Sequence, residues 1–386
     1  MAVTLKTKMP SLSCCSPVLL IVWILVVTSP IGVLGWGKDG HELVGNLAYR
    51  LLSSSAQSAV HEILGDDDAV AHHADCYNNT PLGAIADWAD QVRMSKDYHW
   101  SGVLHYIDIH DETVEGGCPA VGDTDKKGCH FDYSRDCKQD ACVAGAIVNY
   151  THHLADWKQQ QPRLSKHLRG SMSLLAPFRL LATTTTNPPT QLVQESLKFL
   201  THFVGDIHQP LHSGRQSDIG GNRIDVTFHI PSSSNNRAVS TPRRSGRRTT
   251  TTTHHHHHLE LHAVWDTSMI ERAIHTIYHH SRQELEEDLM TYIQNNNSTH
   301  HDWLACADTS QQKCTSAWAE ESWQHALTWA YRNADGQSEV TPGTNLTDAY
   351  YETRWPQIFQ YIAVAGVRLA AALEMVLGDD KNHHLD

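Results

Sequence analysis

Residues 192 to 207 (LVQESLKFLTHFVGDI) place apolar side chains at 192, 193, 197, 200, 204 and 207, one helical stripe that is satisfied only by burial against other elements. His202 and Asp206 lie four apart on the same segment, so they project from one face about one turn apart. Pro210 ends the helix and His212 returns on the loop behind it, completing the stretch HFVGDIHQPLH. A helix that carries ionisable side chains inward must supply them with partners, because an unpaired polar group in apolar surroundings is costly. Three readings are open at this point: a metal, a catalytic triad, or a buried helix end with some polar residues on it.

The four-residue interval recurs in LHAVWD, where His262 and Asp266 open another helical segment. WADQVR adds Asp90 and LHYID adds His105, each again inside apolar surroundings. Taken together these residues favour a metal site. Donors that are histidine and carboxylate without cysteine thiolates indicate zinc at open, catalytic positions more than a closed structural site. Ions that share a carboxylate lie about 3.5–4 Å apart, a spacing that activates water and screens the charge of a phosphate ester.

The rest of the chain reads as a mostly α single domain. Helical spacing runs from Trp36 to about Leu64, then over Ala84 to Val92, Val143 to Trp157, Leu192 to Ile207, Met269 to Ile293, Ser316 to Ala330 and Gln357 to Leu377. Strand signals are few, with LHYIDI (104–109) and NRIDVTFHI (222–230) the main ones. Two segments are foreign to this pattern. Residues 231–258 hold five arginines, no acids and runs of five Thr and five His, too little apolar surface to offset the entropy of ordering. Residues 162–190 form a second, weaker flexible insertion.

At the amino terminus Lys6 and Lys8 precede an apolar run over 17–34, with Gly35 and Trp36 following, which predicts a signal peptide of residues 1–35 and a mature domain of 36–386. An uncleaved anchor is the alternative, but Pro30 and Gly32 interrupt the run. Export accounts for the cysteines. Cys14 and Cys15 leave with the signal, and Cys76, Cys118, Cys129, Cys137, Cys142, Cys306 and Cys314 remain, none in a CxxC pair, so disulfides with at least one thiol left over are expected. Sequons at Asn78, Asn149, Asn296, Asn297 and Asn345 suit a glycosylated chain that is extracellular or vacuolar. The formal charge of −13 becomes −15 when Lys6 and Lys8 are lost, which excludes a broad basic clamp for nucleic acid. A polyanionic substrate would be held locally, by metal cations or a few arginines.

At these residues the chain resembles the zinc-dependent single-strand-specific nucleases of plants and fungi, whose plant members are called bifunctional nucleases. The resemblance runs through WGKDGH (36–41), WADQVR (88–93), LHYID (104–108), YSRDC (133–137), HFVGDIHQPLH (202–212), GGNRIDV (220–226), LHAVWD (261–266) and GVRLAAAL (366–373), nearly the whole mature chain in the family's order. It implies an α-helical fold of the zinc phospholipase C and single-strand-specific nuclease type with a three-zinc cleft. Asp90, His105, His202 and Asp206 would hold one zinc, His212, His262 and Asp266 a second, and the amino and carbonyl groups of Trp36 with His41 and Asp206 the third. Asp206 would thus bridge two ions, and Asp87 would not be a ligand. Arg93 would stabilise the phosphate in the transition state. Tyr106 would stack on a base and Asp108 accept hydrogen bonds from it, with Ile219 as the other wall of the slot and Asn222 on the substrate side. The implied partners are single-stranded DNA and RNA and 3′-nucleotides, cleaved to 5′-phosphorylated products by a monomer without a stable protein partner or membrane contact.

Leu327 stands where the family has a cysteine, and no cysteine precedes WADQVR at the family's usual place, so the family's disulfide pattern is altered and Cys137 with Cys142 is the pair the resemblance places. Two rivals remain. A zinc phospholipase C shares the fold, but the five-residue gap from Trp36 to His41 and an aspartate at 266 favour the nuclease. A secreted glycoprotein that stores zinc would have no use for Arg93, Tyr106 or the Gly-Gly-Asn turn.

Overall fold

The computed structural model describes residues 36–65, 79–112, 114, 117–121, 128–161, 189–230, 257–296, 303–304 and 311–379. The signal segment, Asn78 and Asn297, Cys76 and Cys306, and nearly all of both expected insertions lie outside the described residues.

The architecture is mostly α. Its longer helices are α1 (Lys38–Leu51), α2 (Ser54–Leu64), α3 (Val143–Gln160), α4 (Gln191–Asp206), α5 (Met269–Thr276), α6 (Arg282–Asn295), α7 (Gln311–His325) and α8 (Asp348–Leu377). α1 lies along α8 and α3 along α4, while α1 also packs on the short helix Pro81–Ile85. Small residues set these approaches. A Cβ on Gly366 would lie 2.8 Å from Leu47 Cβ, and one on Gly45 would lie 2.8 Å from the backbone of Leu82, so neither crossing tolerates a side chain. α8 is long and apolar enough to cross a membrane by length and composition, yet Ile358, Ile362, Leu369 and Leu373 are fully buried along it, which makes it the core helix.

Two small sheets complete the molecule. β1 (Ile107–Ile109) pairs in parallel with β2 (Ser213–Arg215), placing Asp108 opposite Gly214. β3 (Asp225–Phe228) is the middle strand of three, antiparallel to β4 (His257–Glu260) and parallel to β5 (Thr344–Leu346).

Several expectations need correction. The single helix over Met269 to Ile293 is broken: α5 ends at Thr276, and His279 and His280 adopt φ of 47° and 69° before Ser281 caps α6. α8 begins nine residues before Gln357, because Tyr350, Tyr351, Arg354 and Trp355 are buried and hold the turns that precede Pro356. Leu192, expected in the buried stripe of α4, is 52% exposed, whereas Phe199 and Phe203 are buried beside Leu197, Leu200 and Val204. The low-complexity insertion ends earlier than expected, since His257 and His258 pair with Phe228 and Thr227 in the sheet. Cys137 is bonded to Cys142 as expected, and Cys118, whose pairing was open, is bonded to Cys129. Cys314 is also disulfide-bonded. Leu327 is buried where the family's cysteine was expected.

Candidate metal centre

The donors come from separate elements that meet at the carboxyl end of α4. His202 and Asp206 are fully buried there. α1 contributes His41, the short helix Trp88–Val92 contributes Asp90, and the 3-10 helix His99–His105 ends on His105. His212 closes the 3-10 turn Pro210–His212, as Pro210 dictates. His262 sits in the turn Leu261–Ala263, and Asp266 follows in a π-helical turn, Val264–Ser268, where an α-helix was expected. Such wide turns recur at functional sites.

Their atoms converge closely. Asp206 Oδ2 lies 3.0 Å from His105 Nδ1 and 3.2 Å from His202 Nε2, and its Oδ1 lies 3.4 Å from both His41 Nε2 and His212 Nδ1. Asp90 Oδ1 is 3.5 Å from His105 Nδ1 and 3.6 Å from His202 Nε2. Asp266 Oδ2 lies 3.3 Å from His262 Nε2, and its Oδ1 is 3.8 Å from His212 Nε2. Among the described residues three groups could each hold an ion: His41 with Asp90 and His202, His105 with His202 and Asp206, and His212 with His262 and Asp266. His41, expected beside Trp36 and Asp206, also stacks on the His202 ring at 3.8 Å, which is why it groups with Asp90 as well. Trp36 is fully buried in this neighbourhood, and the next residue donates from Gly37 N–H to the Asp266 carbonyl at 2.6 Å. Gly205 admits His41, for a Cβ there would lie 2.7 Å from its Nδ1.

The pattern of protons fits a metal. His202, His212 and His262 each point Nδ1 at a backbone carbonyl, of Ala86, His105 and Gly220, at 2.7, 2.6 and 2.6 Å. A carbonyl only accepts, so those protons sit on Nδ1 and the Nε2 lone pairs face inward. His262 Nε2 and His212 Nε2 then oppose each other at 3.2 Å, an arrangement of two lone pairs that a cation relieves. Asp206 Oδ1, Asp90 Oδ1, both ring nitrogens of His41 and Nε2 of His105 are buried without a hydrogen-bond partner. The break between the helices Pro81–Ile85 and Trp88–Val92, expected as one helix, frees the Ala86 carbonyl for His202.

Charge follows from this crowding. Burial pushes the Asp206 carboxyl up, but the charges of His202 and His212 and the hydrogen bonds of His105 and His202 outweigh it and hold it well below the usual range. Burial lowers His41 and His105. Burial acts downward on His202 too, yet the Asp206 and Asp90 carboxylates carry it to about 9. Asp266 goes the other way: burial raises it well above its ordinary value, with Gln209 opposing and Asp90 and Asp206 adding to the rise. Three buried carboxylates in one cluster draw positive charge toward them, which His202 supplies as a proton in the metal-free chain and a cation would supply in place of that proton.

The expected substrate-side residues border the cluster. Arg93 is buried, with Nε 3.3 Å from Asp90 Oδ1. Tyr106 follows His105 directly and is half-buried, and Asp108 stands on β1, pushed up to about 6 by burial. Ile219, Gly220 and Gly221 have φ of 54°, 56° and 84°, and Asn222 Nδ2 donates to the Ile219 carbonyl at 2.7 Å. A Cβ on Gly220 would fall 2.4 Å from the Leu211 carbonyl oxygen, so only glycine fits. Among the sequons, Asn149 and Asn345 are exposed, while Asn296 is half-buried and donates to the Tyr292 carbonyl.

Two residues of the central stretch behave in ways the spacing did not disclose. Gln209 donates from Nε2 to Asp266 Oδ1 at 2.5 Å and accepts Leu211 N–H, fixing one ligand's carboxylate from behind. His208 turns away from the cluster, donating to the Val204 carbonyl and accepting from Arg368, which in turn pairs with Glu321. Asp87 also stays outside, accepting from Gln91.

The family described as S1/P1 nuclease matches residues 36–378. The chain is 29% identical to Endonuclease 2 of Arabidopsis thaliana over 94% of its own length and 97% of the relative's. It is 29% identical to Nuclease S1 of Aspergillus oryzae over 89% of this chain and 92% of that one, and 27% identical to Nuclease P1 of Penicillium citrinum over 89% and 99%.

Proposed function

Since the chain belongs to the S1/P1 nuclease family, with its zinc phospholipase C-like fold, we propose that it is a secreted zinc-dependent endonuclease that cuts single-stranded DNA and RNA to 5′-phosphorylated products and also acts on 3′-nucleotides. The observation that carries the reading is the convergence of His41, Asp90, His105, His202, Asp206, His212, His262 and Asp266, all buried, with Asp90 Oδ1, Asp206 Oδ1, both ring nitrogens of His41 and Nε2 of His105 lacking a hydrogen-bond partner. Three zinc ions are assigned to them. One would be held by Asp90, His105, His202 and Asp206, one by His212, His262 and Asp266, and one by Trp36, His41 and Asp206.

When bound, zinc acidifies the attacking water, polarises the phosphate and steadies the departing 3′ oxygen. The chain's own groups do the rest. Asp206 keeps two sites in register through its two oxygens. Arg93 is oriented by Asp90 and screens the charge that gathers on the phosphate. Tyr106 stacks on a base, which requires that base to be unpaired, and so selects single strands with little regard to sequence. Asp108 accepts from the base edge, with Ile219 and Asn222 opposite. The acidic chain would need no basic face, because bound cations would supply the charge that a phosphate requires. A protein that only stores zinc would not need Arg93, Tyr106 or the turn at 219–222.

The disulfides Cys118–Cys129 and Cys137–Cys142 suit an exported enzyme. The test measures zinc per chain and compares cleavage of heat-denatured with native DNA, before and after chelation. Three zincs and chelator-sensitive release of nucleotides from the denatured substrate are expected. Equal rates on both substrates, or full activity after the metal is stripped, would refute the proposal.

A further inference from the structure

The turn that follows β2 holds three consecutive residues in the left-handed region, and the first of them, Ile219, is β-branched and poorly suited to it. Such a conformation persists only where its surroundings impose it. Asp218 does so from one side, accepting Gly221 N–H at 2.6 Å on Oδ1. The same oxygen accepts the hydroxyl of Tyr331 at 2.9 Å. Tyr331 is fully buried just past the π-helical turn Ala326–Ala330, and its hydroxyl oxygen accepts Arg215 N–H at 3.0 Å, while the Arg215 guanidinium lies over the ring at 4.2 Å. Arg215 ends β2, the strand paired with β1 so that Gly214 faces Asp108. The Gly220 carbonyl in this turn also takes the proton of His262.

One hydroxyl therefore joins two pieces of backbone, the β1–β2 pair that carries Asp108 with Tyr106 at its head, and the turn that carries Ile219 and Asn222. We propose that Tyr331, acting through Asp218, is a positioning residue for base recognition, setting the separation between these two walls and hence how tightly an unpaired base is held. This inference rests on the reading of Tyr106, Asp108, Ile219 and Asn222 as a base slot. Tyr331 itself bonds to Asp218 and Arg215, and the turn meets the metal cluster one step further on, where the Gly220 carbonyl holds His262, so the influence of the hydroxyl falls first on binding.

The experiment uses the zinc-loaded full chain and two dinucleotide substrates, one with a normal base and one abasic on the 5′ side of the scissile bond. Tyr331→Phe removes only the hydroxyl. It is expected to raise KM for the normal dinucleotide about fivefold to tenfold, part of what a stacked base contributes, with kcat and zinc content unchanged and with the abasic substrate cleaved as by wild type. Asp218→Ala should reproduce this pattern, and Asp218→Asn, whose Oδ1 still accepts from Tyr331 and Gly221, should restore wild-type KM. Equal losses on both substrates would mean a merely structural role and overturn the inference, as would unchanged KM in Tyr331→Phe and Asp218→Ala. If wild type itself treats the two substrates alike, the base slot is refuted, and the role of Tyr331 falls with it.

Discussion

Asp206 is fully buried, and its oxygens face different partners: Oδ1 toward His41 and His212, Oδ2 toward His105 and His202. Asp206→Asn should therefore release more than one equivalent of zinc and reduce turnover more than any other single ligand change. Metal analysis showing three zincs in the variant would rule out bridging. At Trp36 the prediction concerns the α-amine, which exists only after cleavage between Gly35 and Trp36 and, with a free pKa of about 7.7–8.0, yields its proton readily to a cation. Protein carrying an extra Met before Trp36 should fold, bind close to two zincs and cleave single strands far more slowly. Full activity with three zincs in the extended form would eliminate the amino-terminal ligand. Asp108 supplies a pH dependence. Burial raises it to about 6, so it is ionised and able to accept above that pH and is increasingly protonated below it. KM for base-containing substrates should rise as pH falls below 6, by up to about tenfold per unit, and the rise should vanish in Asp108→Asn. The sign for stability is opposite. Between the ordinary carboxylate value of 3.8 and 6 the folded chain retains a proton that the unfolded chain has released, so this group makes stability fall as pH rises through that window.

Among the elements, those with a repeating apolar pattern were legible: α1, α2, α3 and α4 all fall where their spacing places them. The misreadings share a cause. α5 and α6 carry compatible periodicity on both sides of a turn, and nothing in that pattern announces that His279 and His280 will take left-handed backbone. Pro356 reads locally as a stop, yet tertiary burial of Tyr351 and Trp355 sustains the helix across it. The hairpin of β3 and β4 yields a prediction of its own. Phe228 pairs with His257, so residues 231–256 enter between two paired strands. Replacing 231–256 with Asn-Gly leaves a four-residue connection, a length hairpins accept. Activity should be retained and the thermal midpoint unchanged or raised, since a shorter loop closes at lower entropic cost. Loss of folding, read by circular dichroism, would show that the replaced segment is structural.

For the molecule as a whole, the candidate metal centre joins elements from α1 to the Val264–Ser268 turn, so metal binding there would be coupled to folding. A site filled at about a thousand times its dissociation constant adds about 4 kcal/mol, and several sites should together raise the thermal midpoint by about 10 °C or more. Calorimetry before and after chelation checks this, and an unchanged midpoint would mean that the centre is not held by metal. What the sequence determined by itself is whatever depends on near neighbours along the chain: helical periodicity and the four-residue intervals His202–Asp206 and His262–Asp266. Those are legible because a helix repeats every few residues whatever surrounds it. Only the tertiary structure decided which donors share an oxygen of Asp206, that His208 turns to Arg368 while Gln209 braces Asp266, and that Tyr331 ties the end of β2 to Asp218 from more than a hundred residues away. The reason is that those relations are set by how α1, α4 and α8 pack and by where strained turns expose a carbonyl, and no local spacing encodes a contact between segments that meet only when the core closes.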